Sequence, residues 1–125
     1  MDTESQHLAR AGERVLVLTE GHKRYLVRLE PGAQFHTHLG IIAHDDLIGQ
    51  PLGREVLSHL GHRCMVVRPS IHDLLMRVKR RSQIIYPKEI GMILLTLDLT
   101  DGRRVVEAGT GSGALTTAMA WAVRP

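Results

Sequence analysis

The apolar and polar positions follow one rhythm in the first half of the chain and another in the second. Between residues 13 and 68, short runs rich in Val, Leu and Ile are cut by turn signals every several residues. Residues 14–18 and 23–30 flank Thr19-Glu20-Gly21-His22, which predicts a β-hairpin. Residues 34–37 and 41–43 flank Leu39-Gly40, and residues 54–58 and 63–68 flank Gly61. Pro31-Gly32 and the punctuation at Gly49, Pro51 and Gly53 separate these pairs. Short strands at this spacing predict a small β-barrel-like domain or curled sheet over residues 1–68.

From Pro69 onward the period becomes helical. Ser70 and Asp73 form a capping-box pattern, and Ile71, Leu74, Leu75 and Val78 fall on one face of a helix closed by Lys79, Arg80 and Arg81. Those three cations suit a helix C-terminus, or phosphates. A second helix is predicted from Pro87, with the stripe Ile90, Ile93, Leu94 and Leu97. Gly91 inside it costs about 1 kcal/mol against alanine, which suggests a close neighbour. Val105 and Val106 then read as a buried parallel strand, Leu115, Ala118, Met119 and Ala122 as the apolar stripe of a third helix, and Trp121 as packed against the sheet. Residues 69–125 thus read as the opening of an α/β doubly wound domain. A parallel sheet needs several more β-α units, so the chain is expected to hold that domain incompletely.

Between that strand and helix stands the sequence EAGTGSGALT: Glu107, then Gly109, Thr110, Gly111, Ser112 and Gly113, then Ala114, Leu115 and Thr116 at the helix start. Alternate glycines let backbone approach a ligand closely, and a helix N-terminus offers amides and a positive dipole end. Gly109-x-Gly111-x-x-Ala114 also satisfies a dinucleotide fingerprint, so an oxidoreductase is the competing reading. Glu107 weighs against it. A carboxylate at the strand end would repel a diphosphate and attract the ammonium and sulfonium of S-adenosylmethionine. The spacing E-x-G-x-G-x-G resembles the first motif of class I methyltransferases.

Composition changes this picture little. The 125 residues carry a net charge of +3, with 3% aromatics, which suits an acidic partner such as RNA without aromatic base-stacking as its main device. A single cysteine, Cys64, excludes an internal disulfide and points to a reducing, cytoplasmic setting. No apolar run is long enough to span a membrane. His36, His38 and His44 lack the spacing of a common metal site, and no metal is expected.

Five segments occur in an order that resembles one family. They are GERV at 12–15, PGAQFHTHLG at 31–40, IAHDDLIG at 42–49, QIIYPKE at 83–89 and EAGTGSGALT at 107–116. Together they resemble the homotetrameric tRNA (adenine-58, N1) methyltransferases of bacteria and archaea. The resemblance implies an N-terminal β-domain that helps grip tRNA, then a Rossmann-like catalytic domain that methylates adenine N1 and binds S-adenosylmethionine on Glu107 and Gly109 to Thr116. It implies tRNA contacts at Gly21, His22, Gln34, Phe35, His36, Thr37, His38, Leu39, Gly40, Ile41, Arg63, Cys64, Ile84, Ile85, Tyr86, Pro87 and Lys88. The family usually has Asp where Glu89 stands. The acids expected to bind the donor's ribose and to meet the target adenine lie past Pro125, so no catalytic residue is assigned within the chain, and the chain alone is expected to be inactive. A non-catalytic β-module for RNA binding or assembly is the other alternative.

Overall fold

A computed structural model describes residues 7–77 and 85–125. They form two compact units, Met1–Pro69 and Ser70–Pro125. In the first unit, strands β1 (Arg14–Thr19), β2 (Arg24–Arg28), β5 (Arg54–Leu57) and β6 (Arg63–Val67) make an antiparallel sheet in the order β2-β1-β6-β5. Strands β3 (Gln34–Thr37) and β4 (Gly40–Ala43) form a separate two-stranded hairpin. The sheets stay open, so the expected barrel does not close among the described residues. The ladder ends at β2 on one side and β5 on the other, and the chain spends β3 and β4 on each other instead.

The unbroken apolar run of β1 suits a strand inside the sheet. β1 is the inner strand, paired with β2 from Arg14↔Arg28 to Leu18↔Arg24 and with β6 from Leu16↔Val67 to Thr19↔Cys64. Its Val15 and Val17 are fully buried, with Val27, Leu29, Ile42, Leu47, Cys64 and Val66 around them. Phe35 meets Tyr25 edge-on at 5.2 Å, which fastens the hairpin to β2. His44 is buried, and its Nδ1 accepts the Glu30 N–H at 2.9 Å. His44 is therefore a structural staple, whereas His36 and His38 are exposed. Among the described residues, no three His, Cys, Asp or Glu side chains gather as metal ligands.

Two carboxylates lock turns in this unit. Glu13 accepts the Arg10 N–H at 2.9 Å and pairs with His7 at 2.6 Å. Burial pushes its pKa up, but those contacts and Arg68 outweigh it and leave the group below the usual value of 4.5. Glu20 is lowered by the Arg63 N–H and then by His62. A carboxylate whose folded pKa is depressed contributes stability above its unfolded pKa and loses it as pH falls through the folded one. The unit should therefore hold constant stability down to about pH 4.5 and weaken below it. Denaturant midpoints measured against pH check this, and Glu20→Gln should flatten the decline.

The second unit holds three helices, α1 (Ile71–Leu75), α2 (Pro87–Thr96) and α3 (Ala114–Val123). The Ser70–Asp73 capping box is formed, with Asp73 N–H donating to Ser70 Oγ at 3.1 Å and Ser70 N–H donating to Asp73 Oδ2 at 2.8 Å. Val78, Lys79, Arg80 and Arg81 lie outside the described residues. α2 begins at Pro87 as expected, and Glu89 accepts the Tyr86 N–H at 2.8 Å. Ile90, Ala114 and Ala118 form the small core, backed by Leu75, Leu94 and Leu115.

Four expectations fail here for one reason. Val105 and Val106 join no ladder, and Val106 is 98% exposed. A lone parallel strand has nothing to pair with among the described residues, so no ladder forms there. Leu97 and Trp121 are likewise exposed, the latter with Arg124 over its ring at 5.8 Å instead of a sheet beneath it. Gly91 has no close neighbour, since nothing lies within 4 Å of where a Cβ would stand. Gly91→Ala should accordingly stabilise this unit by roughly 0.5–1 kcal/mol, read as a rise in denaturant midpoint at unchanged slope.

Candidate methyl-donor and RNA-binding sites

In the second unit the glycine segment makes a loop at the N-terminus of α3. Gly109, Gly111 and Gly113 have φ of 79°, 58° and 84°, in the left-handed region where a side chain is disfavoured. Gly113 is the N-cap and offers no side chain, so the first turn of α3 carries no side-chain cap. Its own N–H donates to Thr110 O at 3.1 Å, and its carbonyl accepts from Thr117 N–H at 2.9 Å. Nothing stands within 4 Å of a Cβ built on Gly109 or Gly113, so no neighbour crowds the loop at those two positions.

Glu107 is half-buried, and its Oε1 accepts the hydroxyl proton of Thr116 on the first turn of α3. That bond fixes a carboxylate against the helix start. A cleft of about 370 Å³ opens there, lined by Val105, Glu107, Thr110, Thr116, Met119, Ala120 and Val123. Glu107, Thr110 and Thr116 supply its polar groups, and Val105, Met119 and Val123 apolar ones. Of this lining the sequence pattern named Glu107, Thr110 and Thr116, whereas Gly109, Gly111 and Gly113 are not part of it. Met119, Ala120 and Val123 were legible only as a helix stripe or not at all.

The residues assigned to RNA by resemblance divide among several elements. Gly21 and His22 form the β1–β2 turn, where His22 has φ 59°. Gln34 to Ile41 make up β3, its turn and the start of β4, with Gln34, His36 and His38 exposed and Gly40 buried. Arg63 opens β6 with an exposed side chain 3.7 Å from Glu55. Cys64 is 2% exposed, and burial, then the charge of Glu20, pushes its thiol pKa up. It is a buried, protonated core residue at neutral pH. In the second unit Ile85, Tyr86 and Lys88 are exposed before and within the first turn of α2, and Pro87 is half-buried, while Ile84 lies outside the described residues.

The structure brings two of these groups together through side chains that sequence patterns did not reveal. Glu20 accepts the Arg63 N–H at 2.8 Å and meets His62 Nδ1 at 3.2 Å, which ties the β1–β2 turn to the start of β6. A polar residue inside a turn signal carries no mark of so distant a partner.

The model of the TrmI-like N-terminal family matches residues 9–56. That of the tRNA methyltransferase complex GCD14 subunit matches residues 64–125. The tRNA (adenine(58)-N(1))-methyltransferase TrmI of Thermus thermophilus is 42% identical over 101 residues, which is 81% of this chain and 40% of the relative. A solved SAM-dependent O-methyltransferase from Thermotoga maritima superimposes with a TM-score of 0.78 at 36% identity, over 91% of this chain and 43% of that one. The tRNA (m1A58) methyltransferase TrmI of Aquifex aeolicus gives 0.72 at 33%, over 94% and 45%. The chain therefore belongs to the tRNA (adenine-58, N1) methyltransferase family, and it spans 40% of the length of its Thermus relative.

Proposed function

We propose that the two units supply the RNA-gripping β-domain and the methyl-donor corner of an enzyme that methylates N1 of adenine 58 in tRNA with S-adenosylmethionine. The observation that carries this reading is the Glu107–Thr116 bond, which holds a negative charge at the mouth of a glycine loop and a helix N-terminus. The donor's chemistry fits those groups. Its amine and sulfonium are cationic, which a half-buried carboxylate favours, and its carboxylate suits uncapped helix amides. When bound, the donor supplies a methyl group on a positively charged sulfur.

The chain's own residues bind and orient. The glycines at 109, 111 and 113 allow main chain against ligand, and Met119, Ala120 and Val123 present apolar surface. Methyl transfer to a ring nitrogen is an in-line displacement, so it needs positioning and electrostatics and no protein nucleophile. The exposed residues of the β1–β2 turn, the β3–β4 hairpin, Arg63 and the start of α2 are the proposed tRNA contacts. Cys64, being buried, would act there through its main chain or by supporting Arg63. The matching family model, named for a subunit of a tRNA methyltransferase complex, supports assembly with further copies or another subunit, and the unpaired thiol of Cys64 suits a reducing compartment such as the cytoplasm.

Calorimetric titration with S-adenosylmethionine and, separately, with NADH tests the donor site. Donor binding without a response to NADH is expected. Gly111→Val, which places a β-branched residue at φ 58°, should abolish the donor signal. NADH binding with no donor response would reverse the assignment.

A further inference from the structure

A lone two-stranded hairpin is marginal in water, so β3–β4 needs bonds from outside itself to keep one shape. Its middle is held by the Phe35–Tyr25 contact and by buried Ile42. Its tip is held by the β5–β6 turn. His59 Nδ1 accepts the Ile41 N–H at 2.8 Å, and His59 N–H donates back to Ile41 O at 3.0 Å. Ser58 Oγ donates to Leu39 O at 2.7 Å and accepts the His62 N–H at 3.2 Å. Ser58 is 6% exposed, and Gly40 lies so close that a Cβ there would stand 2.6 Å from Ser58 Oγ. The end of the same turn reaches Glu20 through His62, and Arg63 follows.

Residues 58–62 thus bond to both the β1–β2 turn and the β3–β4 tip. His59 is exposed, so burial does not account for it. Its ring completes a two-way backbone pairing that no strand supplies, with the proton on Nε2 because Nδ1 is the acceptor.

We infer that Ser58 and His59 are positioning residues for RNA: they set the β3–β4 tip in the arrangement that presents His36 and His38. This rests on the RNA-binding role proposed above for the first unit. Neither residue need touch RNA. The ring acts by making Leu39-Gly40-Ile41 one conformation, so that binding does not pay for ordering it.

Two readouts on the 125-residue chain test this: affinity for a T-arm RNA hairpin at fixed salt, and amide exchange at residues 39–41. His59→Ala should weaken binding about 10-fold and speed exchange at the tip. His59→Asn, whose Oδ1 can accept the Ile41 N–H, should restore both to within about 3-fold. Ser58→Ala should act in the same direction as His59→Ala, and Leu60→Ala, in the same turn but 61% exposed, should change neither. Unchanged tip exchange in His59→Ala overturns the inference whatever the RNA result. Faster exchange with unchanged affinity overturns its functional half. Loss of protection across β1 and β6 in both His59→Ala and Ser58→Ala also overturns it, because the turn would then support the whole sheet and not the hairpin. Failure of the wild-type chain to bind the RNA would instead refute the proposed role of the unit, while exchange still decides whether the tip is held by His59.

Discussion

Gly40→Ala should destabilise the first unit by about 2–4 kcal/mol, the largest loss expected of any single added methyl group in the chain. Two penalties combine. Gly40 has φ 121°, a conformation that costs an L side chain about 1–2 kcal/mol. The new Cβ would also stand 2.6 Å from Ser58 Oγ and 2.9 Å from Ser58 Cβ. Ser58 is buried and bonded to Leu39 O and His62 N–H, so it cannot swing away without breaking both. Overpacking of this kind costs about 1–3 kcal/mol more. Gly61→Ala is the control: its φ is 84°, but nothing lies within 4 Å of its Cβ position, so it pays for strain alone. Urea midpoints at constant slope should therefore fall further for Gly40→Ala than for Gly61→Ala. Equal losses would mean that Ser58 yields and that the tip is not tightly held.

The second large effect concerns ligand affinity. Glu107→Ala should weaken S-adenosylmethionine binding by about 10- to 100-fold, the range for losing a charged hydrogen-bond partner. Glu107→Gln separates the causes, since an amide oxygen still accepts from Thr116 but carries no charge. If attraction to a cationic ligand is what Glu107 contributes, Gln should bind nearly as poorly as Ala. If Glu107 serves only to brace α3 through Thr116, Gln should bind like the wild type. The sign of the effect also discriminates between ligands. For a diphosphate-bearing dinucleotide the carboxylate is repulsive, and its removal would strengthen binding. Tighter NADH binding by Glu107→Ala, with donor binding unchanged, would overturn the methyl-donor reading.

Much of the first unit was legible because its signals are local. Short apolar runs, the Thr19–His22 turn and the glycines at 40 and 61 placed every strand of this unit within a residue or two. The Ser70–Asp73 cap and Pro87 placed two helix starts for the same reason, since capping involves neighbours along the chain. The sheet order β2-β1-β6-β5 was not legible, because β1 takes a partner nearly fifty residues away and no residue in it announces that choice. Nor was the open sheet, which depends on β3 and β4 pairing with each other.

By itself the sequence determined the alternating strands, the two capped helix starts, and the acid, glycine loop and helix that follow one another at 107–116. These depend on side-chain period, backbone permissiveness and capping, which act over a few residues. Tertiary structure alone decided that Val106 stays exposed, that Trp121 faces Arg124, and that Thr116 holds Glu107. It also decided that Ser58, His59 and Glu20 join turns far apart in the chain. Those outcomes turn on which partners are within reach in space, and a hydrogen bond or buried surface exists only once both halves have been brought together.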